Sequence, residues 1–395
     1  MTHSLKFNEL VNWHIKLTDA EKLTPWSDDL IDAVSGLADF IFKQLELRQY
    51  PEIIALAFWF RKTHLTEIKA RVSSNPKICN DLNKDKLGQI FHIAPANVDT
   101  VFLYSALISV LSGNQNIVRI SERSGDTTRL LIEVIKAYFN TELGKALKPY
   151  LAVVEYSALQ SQVTTQFSQW CDMRVIWGGD NAIAAISDIA AETKQICFPD
   201  RYSVALMQLT AKTDISAVAN AFLTDVLPFN QQACSSPKAI YWYKTKTDIQ
   251  QQFWQKIQTL LTQAKHKLTI SNKVEQHVLL QKLAMEYGLE LADNSGKSFA
   301  KIQTIGPIGR TKVKKLTADM LISHTGNGLV LETDINELQA IEASQKLQTI
   351  VSNQTQLLDK LNLGLRKTDL GKALEFDTDW DGVDLLEAFN ANDRI

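Results

Sequence analysis

The sequence predicts an α/β protein built around a mostly parallel sheet. From about residue 88 to residue 211, short apolar segments of strand length alternate with segments of helix length. This pattern is typical of parallel strands joined by crossover helices. The chain has 395 residues, of which 45% are hydrophobic and 22% charged. That composition is typical of a globular protein, and the length predicts two to three domains at roughly 150 residues per domain.

The region before the alternation, residues 1–87, is expected to be helical. Apolar residues recur there at helical spacing, at Leu30, Ile31, Val34, Leu37 and Ile41. The run Ser73-Ser74-Asn75-Pro76 then breaks the pattern, as a turn would. We expect a helical segment that packs on the domain following it.

Residue types at the ends of the elements support the alternation that begins at residue 88. Pro95 ends the first strand, Asp99 is a suitable N-cap for the next helix, and Gly113 is a suitable stop. The predicted strands are 89–93, 116–120, 151–155, 174–177 and 204–209, and the predicted helices cover 99–111, 127–139, 163–167 and a segment from about 182. In such sheets, ligands bind outside the carboxyl ends of the strands.

The region from residue 212 predicts a second α/β unit that ends in short strands. A helix is expected over 215–227, followed by a loop from Pro228 to Pro237 and a strand over 239–243. Two long helices, 249–263 and 274–285, come next. The short strands are predicted at 301–305, 320–322, 329–331 and 347–351.

Charge and cysteine usage exclude several classes of protein. The formal net charge of −2 leaves no basic footprint for nucleic acid or an anionic membrane. The cysteines are Cys79, Cys171, Cys197 and Cys234, and none lies in a CxxC motif or a cluster with zinc spacing. We therefore expect a reduced, cytoplasmic protein without a disulfide framework or a metal site. The N-terminus has no signal-peptide pattern, and the longest apolar run, Ile53 to Phe60, is far short of the ~20 residues that span a bilayer.

Cys234 is the first candidate for chemistry, because it lies in a loop between a predicted helix and a predicted strand. A thiolate attacks carbonyl carbons well, especially when positive potential lowers its pKa. Most lone cysteines are nevertheless small buried hydrophobes. Asn97, just past the first strand, is the second candidate, since its amide could donate to a developing oxyanion or could equally cap a helix.

Two further segments follow predicted strands and are suited to a dinucleotide. After the second strand come Arg119, Ser121, Glu122 and Arg123, where cations suit a phosphate and a carboxylate suits a ribose hydroxyl. A solvated strand end is the simpler interpretation. Gly178-Gly179 after the fourth strand would allow the backbone to approach a pyrophosphate, and a plain turn is equally consistent. The chain has neither GxGxxG nor a P-loop.

Taken in order, these segments resemble the aldehyde dehydrogenase superfamily. The closer match is its acyl-CoA reductase branch, the LuxC family, known for making the fatty aldehyde of bacterial bioluminescence. The segments that carry the resemblance, over about residues 88 to 386, are GQIFHIAPANV, LSGNQNIVRISERSGD, VIWGGDNAI, FPDRYSVAL, FNQQACSSP, LQTI and GKALEFDTDWDGVDLL. Each is weak alone, and their shared order makes the signal specific.

The resemblance implies a role for each candidate residue. Cys234 becomes the nucleophile that is acylated, and Asn97 forms the oxyanion hole with the Cys234 backbone N–H. Arg119 takes the place of a Lys beside the adenosine ribose, and Glu122 matches a ribose-binding Glu. The list of implied cofactor-binding residues is Arg119, Ser121, Glu122, Arg123, Gly178 and Gly179. NADPH is the implied cofactor and NADH the alternative, because an Arg at 119 favours a 2′-phosphate and Glu122 disfavours it.

One departure from the superfamily bears on the reaction. Hydrolytic aldehyde dehydrogenases carry a Glu that activates water upstream of the cysteine, whereas the corresponding stretch here, Cys197 to Arg201, holds only Asp200 as an acid. Without a base, water should attack the acyl-enzyme slowly. The resemblance therefore implies NADPH-dependent reduction of an acyl thioester, with a CoA thioester as substrate. An oxidative aldehyde dehydrogenase using Asp200 and a non-catalytic binding relative are the alternatives.

The resemblance also implies a domain plan and partners. It predicts a helical segment over 1–87, a Rossmann-type NAD(P)-binding domain over 88–211 and a catalytic domain over 212–345. Residues 346–395 are expected to return to the cofactor domain or to form a small β dimerisation element. A homodimer or higher homo-oligomer is implied, and the acyl group could come from a carrier protein or a partner enzyme. No nucleic-acid partner and no membrane span are expected.

Overall fold

The computed structural model describes residues 8–11, 24–75, 78, 88–95, 100–264, 270–287 and 303–390. The strands are β1 (Asn8–Val11), β2 (Gln89–Ile93), β3 (Gln115–Ile120), β4 (Leu151–Glu155), β5 (Met173–Gly178), β6 (Lys194–Pro199), β7 (Tyr202–Met207), β8 (Pro237–Tyr243), β9 (Gln303–Ile305), β10 (Ile308–Lys312), β11 (Leu329–Ile335), β12 (Leu347–Ser352), β13 (Arg366–Asp369), β14 (Asp379–Trp380) and β15 (Val383–Asp384). The helices are α1 (Asp28–Lys43), α2 (Pro51–Trp59), α3 (Lys62–Ser74), α4 (Val101–Leu111), α5 (Asp126–Tyr138), α6 (Glu142–Lys145), α7 (Ser161–Trp170), α8 (Asp180–Ser187), α9 (Ile215–Val226), α10 (Thr247–Ala264), α11 (Ile270–Tyr287), α12 (Ala318–Ile322), α13 (Thr355–Asp359) and α14 (Leu385–Asn390).

The chain divides into two compact units. The first unit comprises residues 1–200 and 376–395, and the second unit comprises residues 201–375. Residues 376–390 are held in the first unit by contacts such as the bond from Trp59 Nε1 to the Phe376 carbonyl (3.0 Å) and the packing of Trp380 against Trp177 (5.5 Å between ring centroids).

The first unit contains a six-stranded sheet in the order β1-β4-β3-β2-β5-β6. All neighbouring pairs are parallel except β1 with β4. Successive strands are added outward from β2 on one side, and the chain then crosses to β5 on the other side. Helices cover the sheet, and every residue of α4 is buried, which explains why that helix is apolar on all faces. The strand order thus creates a switch point between β2 and β5.

The second unit contains a seven-stranded sheet in the order β13-β12-β7-β8-β11-β10-β9. Its neighbouring pairs are parallel except β9 with β10. Alternate residues of the central strands enter two apolar clusters, so that Tyr241 joins one cluster and Ile240 and Trp242 join the other. The loops that precede β7, β8, β11 and β12 all reach the same edge, because parallel strands start at one edge.

The expected α/β architecture with parallel sheets is confirmed, and the predicted strands 89–93 and 151–155 have the observed bounds. Two expectations about elements are wrong. Residues 320–322 lie in the helix α12, which begins after the N-cap Thr317, and not in a strand. The region predicted as helical contains the strand β1, because its four residues pair with the edge of β4 and are too few to show a periodicity.

The boundary between the units also differs from the expected one at 211/212. The strand β7 pairs with β8 and β12 in the second sheet, so the second unit begins at Arg201. Strands β12 and β13 belong to that sheet, and only the residues from 376 onward belong to the first unit. The dimerisation element and the roles assigned to the domains stay predictions. Among the helices described, none has the length and apolarity needed to cross a bilayer.

Candidate functional site

Cys234 lies in the loop that leads from α9 into β8, at the amino end of that strand. The thiol-bearing residue is half-buried, and its carbonyl oxygen accepts a hydrogen bond from Ser203 Oγ on β7 at 2.8 Å. The turn before it is strained, because Phe229, Asn230 and Gln231 have φ angles of +53°, +51° and +63°. L-residues rarely adopt this left-handed region, so the surrounding structure must stabilise the turn.

Several polar contacts hold the strained turn. Gln231 is fully buried, and its Nε2 donates to the Pro237 carbonyl at 2.7 Å. Its own carbonyl oxygen accepts a hydrogen bond from the ammonium of Lys238, which is 3% exposed. Gln232 Nε2 donates to Asn327 Oδ1 at 3.1 Å. The loop is therefore fixed both to the start of β8 and to the loop before β11.

The loop before β11, residues 324–328, approaches the cysteine loop closely. A Cβ on Gly326, whose φ is +86°, would lie 2.5 Å from the Gln231 carbonyl oxygen, so this position requires glycine. The neighbouring His324 is buried, and its Nδ1 accepts the Gly326 N–H at 3.1 Å. Burial, with the charge of Lys238, lowers the pKa of His324 to about 3. The imidazole is therefore neutral near pH 7.

The other described cysteines have environments that suppress the thiolate. Burial raises the pKa of Cys171 to about 12, and it also raises the pKa of Cys197. Both residues lie in the first unit. Cys79 lies outside the described residues. Cys234 is distinguished from Cys171 and Cys197 by the strained turn that ends three residues before it.

In the first unit, the predicted cofactor residues follow strands that end at one edge of the sheet. Arg119 lies near the end of β3, and Ser121, Glu122 and Arg123 form the turn after it. Gly178 is the last residue of β5, and Gly179 is the N-cap of α8. The carboxyl ends of β2 and β5 flank the switch point, where dinucleotides bind in sheets of this order. Asn97, which follows β2, lies outside the described residues.

Arg119 already has partners within the fold. Its Nη2 donates to the Tyr156 carbonyl at 3.0 Å, and its guanidinium lies 5.3 Å from the centre of the Tyr156 ring. Burial lowers the pKa of Arg119 from its ordinary value. Glu122 and Arg123 are exposed, and Ser121 Oγ accepts the Arg123 N–H at 3.2 Å. The exposed carboxylate and guanidinium are thus accessible to a ligand, whereas Arg119 is anchored.

The start of α8 is the place where the sequence predicts a pyrophosphate. Its N-cap is Gly179, which has no side chain to bond the N–H groups of the first turn. Asp200 lies beside Gly179, with its Oδ2 3.0 Å from the place a Cβ would occupy. The Asp200 backbone N–H donates to the Gly178 carbonyl at 3.1 Å. Asp200 therefore lines the glycine pair of the first unit.

Two features of the site are not evident from the sequence pattern. Lys238 comes just before the predicted strand 239–243, and nothing in its spacing indicates a buried ammonium. His324 lacks metal-ligand spacing, and its contact with Gly326 depends on a loop far from Cys234 in sequence. Within the residues that the model describes, no group of three or more His, Cys, Asp or Glu side chains could hold a metal ion.

Comparisons with known proteins match this chain to a family of reductases. The family model for acyl-CoA reductase (LuxC) matches residues 83–298, more than half of the chain. A long-chain acyl-protein thioester reductase 2 of Photobacterium leiognathi is 25% identical over 164 residues. That alignment covers 41% of this chain and 33% of the relative, so the matched segment spans about a third of the relative's length.

Solved aldehyde dehydrogenase structures share the fold. An NAD-dependent aldehyde dehydrogenase from Sinorhizobium meliloti has a TM-score of 0.60 at 15% identity, covering 87% of this chain and 75% of that one. A Mycobacterium tuberculosis aldehyde dehydrogenase complexed with NAD⁺ has a TM-score of 0.61 at 13% identity, covering 93% of this chain and 85% of that one. The expected aldehyde dehydrogenase-like fold is thereby confirmed.

Proposed function

The chain belongs to the acyl-CoA reductase (LuxC) family, and we propose that it reduces an acyl thioester to an aldehyde with NADPH, through an acyl group carried on Cys234. The observation that carries the proposal is the strained, polar-anchored turn that holds a half-buried cysteine inside the family-matched region. A fatty acyl-CoA is the proposed substrate, and a carrier protein or partner enzyme is a further source of the acyl group.

The first half-reaction is transfer of the acyl group. The Cys234 thiolate attacks the carbonyl carbon of the substrate thioester, and the negative charge moves to the carbonyl oxygen. The Asn97 amide and the Cys234 backbone N–H are the proposed donors to that oxyanion. The bond from carbon to the CoA sulfur then breaks, CoA leaves and takes up a proton, and the acyl group remains on Cys234.

The second half-reaction is a two-electron reduction. A nicotinamide cofactor, when bound, supplies the hydride that reduces the carbonyl carbon of the Cys234 thioester. With one further proton, the carbon–sulfur bond breaks, the aldehyde leaves and the Cys234 thiol is restored. Gly178 and Gly179 at the start of α8 are proposed to hold the pyrophosphate, and Glu122 a ribose hydroxyl.

We propose a preference for NADPH over NADH because two positively charged side chains lie where the 2′-phosphate of NADPH would bind. Arg119, Ser121 and Arg123 surround the turn after β3, where a 2′-phosphate would accept hydrogen bonds. Because Arg119 is bonded to the Tyr156 carbonyl, the exposed Arg123 is the more accessible of the two guanidiniums.

We propose reduction of the acyl-enzyme over its hydrolysis, because this chain lacks the glutamate that activates water in hydrolytic aldehyde dehydrogenases. Asp200 is the acid in the stretch where hydrolytic relatives carry their base, and it lies against Gly179 in the first unit. An oxidative aldehyde dehydrogenase would require this carboxylate to activate water. Acid formation from an aldehyde and NADP⁺ in the absence of CoA would support that alternative.

The direct test is replacement of the nucleophile. Cys234→Ala should lower thioester-dependent NADPH oxidation by about a thousandfold or more, since the acyl group would have no acceptor. Mass spectrometry of the wild-type protein after incubation with an acyl-CoA alone should show one added acyl group on the peptide containing Cys234.

Cys197→Ala is the matched control, because it removes a half-buried thiol from the first unit. It should retain both the acylation and the NADPH oxidation. Undiminished NADPH oxidation in Cys234→Ala would overturn the proposed mechanism. A panel of acyl-CoA thioesters of increasing chain length, each assayed with NADPH and NADH, would then define the substrate and the cofactor.

A further inference from the structure

The segment from Gln231 to Lys238 forms a loop that is closed at its base by two hydrogen bonds. Gln231 Nε2 donates to the Pro237 carbonyl at 2.7 Å, and the Lys238 ammonium donates to the Gln231 carbonyl. Cys234 lies near the middle of this loop. The conformation of the cysteine is therefore coupled to the bonds that join the two ends.

Lys238 is aimed at the turn by an irregularity in the sheet. In the pairing of β7 with β8, Ser203 lies opposite Pro237 and Val204 lies opposite Ala239, so Lys238 is an extra residue with no partner in that register. A bulge of this kind redirects a side chain, and bulges are frequent beside active sites. Here the redirected side chain extends back to the carbonyl of Gln231.

The burial of Lys238 is costly and needs compensation. The residue is 3% exposed, and an ammonium removed from water is destabilising unless it is hydrogen-bonded. The carbonyl it binds belongs to Gln231, whose φ of +63° is itself unfavourable. The ammonium therefore stabilises a backbone conformation that the chain would otherwise leave.

Gly326 contributes from the opposite side of the same carbonyl. A Cβ at this position would lie 2.5 Å from the Gln231 oxygen, which shows that the backbone of the loop before β11 is packed directly against it. The Gln231 carbonyl is thus enclosed between Lys238 and Gly326. The enclosure fixes the turn three residues before Cys234.

We propose that Lys238 is a positioning residue, whose buried ammonium holds the Gln231 carbonyl and so keeps the loop in the conformation that presents Cys234 to the acyl thioester. This inference rests on the proposed function, since it assumes that Cys234 is the nucleophile. Lys238 itself transfers no proton and contacts no substrate in this role.

The experiment compares Lys238→Met with Lys238→Arg in the full chain. Lys238→Met keeps the length of the side chain without the donor, and it should lower the single-turnover rate of Cys234 acylation by about tenfold or more, as a misplaced reacting group does. The KM for NADPH should stay within about twofold of the wild-type value, because the cofactor residues are untouched. Lys238→Arg restores a donor and should recover most of the acylation rate.

Lys312→Met is the control for the loss of a partly buried lysine. Lys312 donates to Gln250 Oε1 (2.8 Å) and pairs with Asp334 (2.7 Å) in the same unit, away from the Gln231 turn. It should lower the thermal stability and leave the acylation rate unchanged. Lys238→Met with a wild-type acylation rate would overturn the inference, as would equal losses of rate in both methionine variants.

A second variant covers the case in which Lys238→Met does not fold. Lys238→Gln keeps a polar side chain that is one atom shorter, which withdraws the donor from the Gln231 carbonyl; it should also slow acylation, and an unchanged rate would contradict the inference. Failure of the proposed function is distinguishable, because wild-type protein would then show no acylation of Cys234. Failure of the Lys238 inference requires an active wild type and an equally active Lys238→Met.

Discussion

The two sheets of this protein present their candidate functional residues at opposite ends of their strands. In the first unit, Arg119, Glu122 and Gly178 lie at or beyond the carboxyl ends of β3 and β5. In the second unit, Cys234 lies before the amino end of β8. The first edge has backbone N–H groups at the start of a helix, whereas the second has one cysteine side chain that follows a strained turn. The proposed cofactor site therefore uses a feature common to parallel sheets, whereas the proposed nucleophile depends on an unusual local turn.

The two edges are also stabilised in different ways. The turn before Cys234 is enclosed by the buried polar residues Gln231 and Lys238. The helix α8, which follows the glycine pair, has no fully buried residue among its eight described positions. Its hold on the sheet comes instead from partly buried Ile183 and Ile186 and from the buried guanidinium of Arg174. We therefore expect that each edge can be perturbed without an effect on the other.

The largest expected effect is a difference in thiol reactivity between the units. Burial raises the pKa of Cys171 to about 12, so its thiolate fraction at pH 7.5 is roughly 10⁻⁵. If Cys234 reacts as an ordinary or activated thiol, iodoacetamide should alkylate it at least about a thousandfold faster than Cys171. The measurement is peptide mass spectrometry after timed alkylation of the native protein. Equal alkylation rates at Cys234 and Cys171 would contradict the prediction that the cysteine of the second unit is the more reactive one.

A smaller effect, on the binding of NADPH, is expected when only the carboxyl edge of the first sheet is destabilised. Arg174 is fully buried on β5, and its guanidinium donates to the carbonyls of Ile186 (2.9 Å), Ala190 (3.3 Å) and Ile189, at the end of α8. Arg174→Met leaves these carbonyls without that donor and should allow α8 to shift. We expect the KM for NADPH to rise by about tenfold while the alkylation rate of Cys234 stays unchanged.

Arg71→Met is the control for Arg174→Met, since Arg71 is an exposed arginine of the first unit that donates to Thr378 Oγ1 at 3.3 Å. Its KM for NADPH should match the wild-type value. If Arg174→Met bound NADPH normally, or if it slowed Cys234 alkylation as well, the independence of the two edges would be wrong.

Hydrophobic patterns in the sequence predict the strands that are formed by uninterrupted apolar runs. The strands β2 and β4 were predicted with their observed bounds, because buried parallel strands are uninterrupted apolar runs. The strand β6 has no apolar run that would predict it, since Lys194 and Gln195 begin it and both are exposed at a sheet edge. The place of Cys234 before a strand was predicted correctly, but its role stays a prediction.

The support of the cysteine loop was beyond sequence reasoning for a physical reason. Gly326 and Asn327 contact Gln231 and Gln232 across about a hundred residues of chain, and no periodicity encodes such a contact. The role of Lys238 is equally hard to predict from the sequence, because a bulge and not the strand pattern directs its side chain. The fold-defining residues are periodic, whereas those that shape the turn are single polar residues and glycines.

The smallest expected effect concerns the scaffold of the second unit and depends on pH. The Asp225 carboxylate on α9 accepts the N–H groups of Gly371 (2.7 Å) and Ala373 (2.9 Å), and burial raises its pKa to about 6 from an ordinary 3.8. Because the pKa is higher in the folded state, this group favours folding most below about pH 4, and that contribution is lost as the pH rises through 6. The Tm of the wild type relative to that of Asp225→Asn should therefore fall between pH 4 and pH 7. The fall should be roughly 2–4 °C for each kcal/mol by which the free energy of unfolding decreases.

Asp369→Asn provides the opposite sign in the same unit. Hydrogen bonds from Thr355 and then Lys372 lower the pKa of Asp369, so its contribution is present above pH 4 and is lost as the pH falls. Thermal unfolding of the three proteins from about pH 3 to pH 7 should give Tm differences of opposite slope. The Asp225 difference should change between pH 4 and pH 7, whereas the Asp369 difference should change below about pH 4 and less steeply, because that carboxylate is solvent-accessible. Neither variant should change Cys234 alkylation at pH 7.5. Parallel pH dependences, or a slower alkylation in Asp225→Asn, would mean that the scaffold and the cysteine edge are not separable.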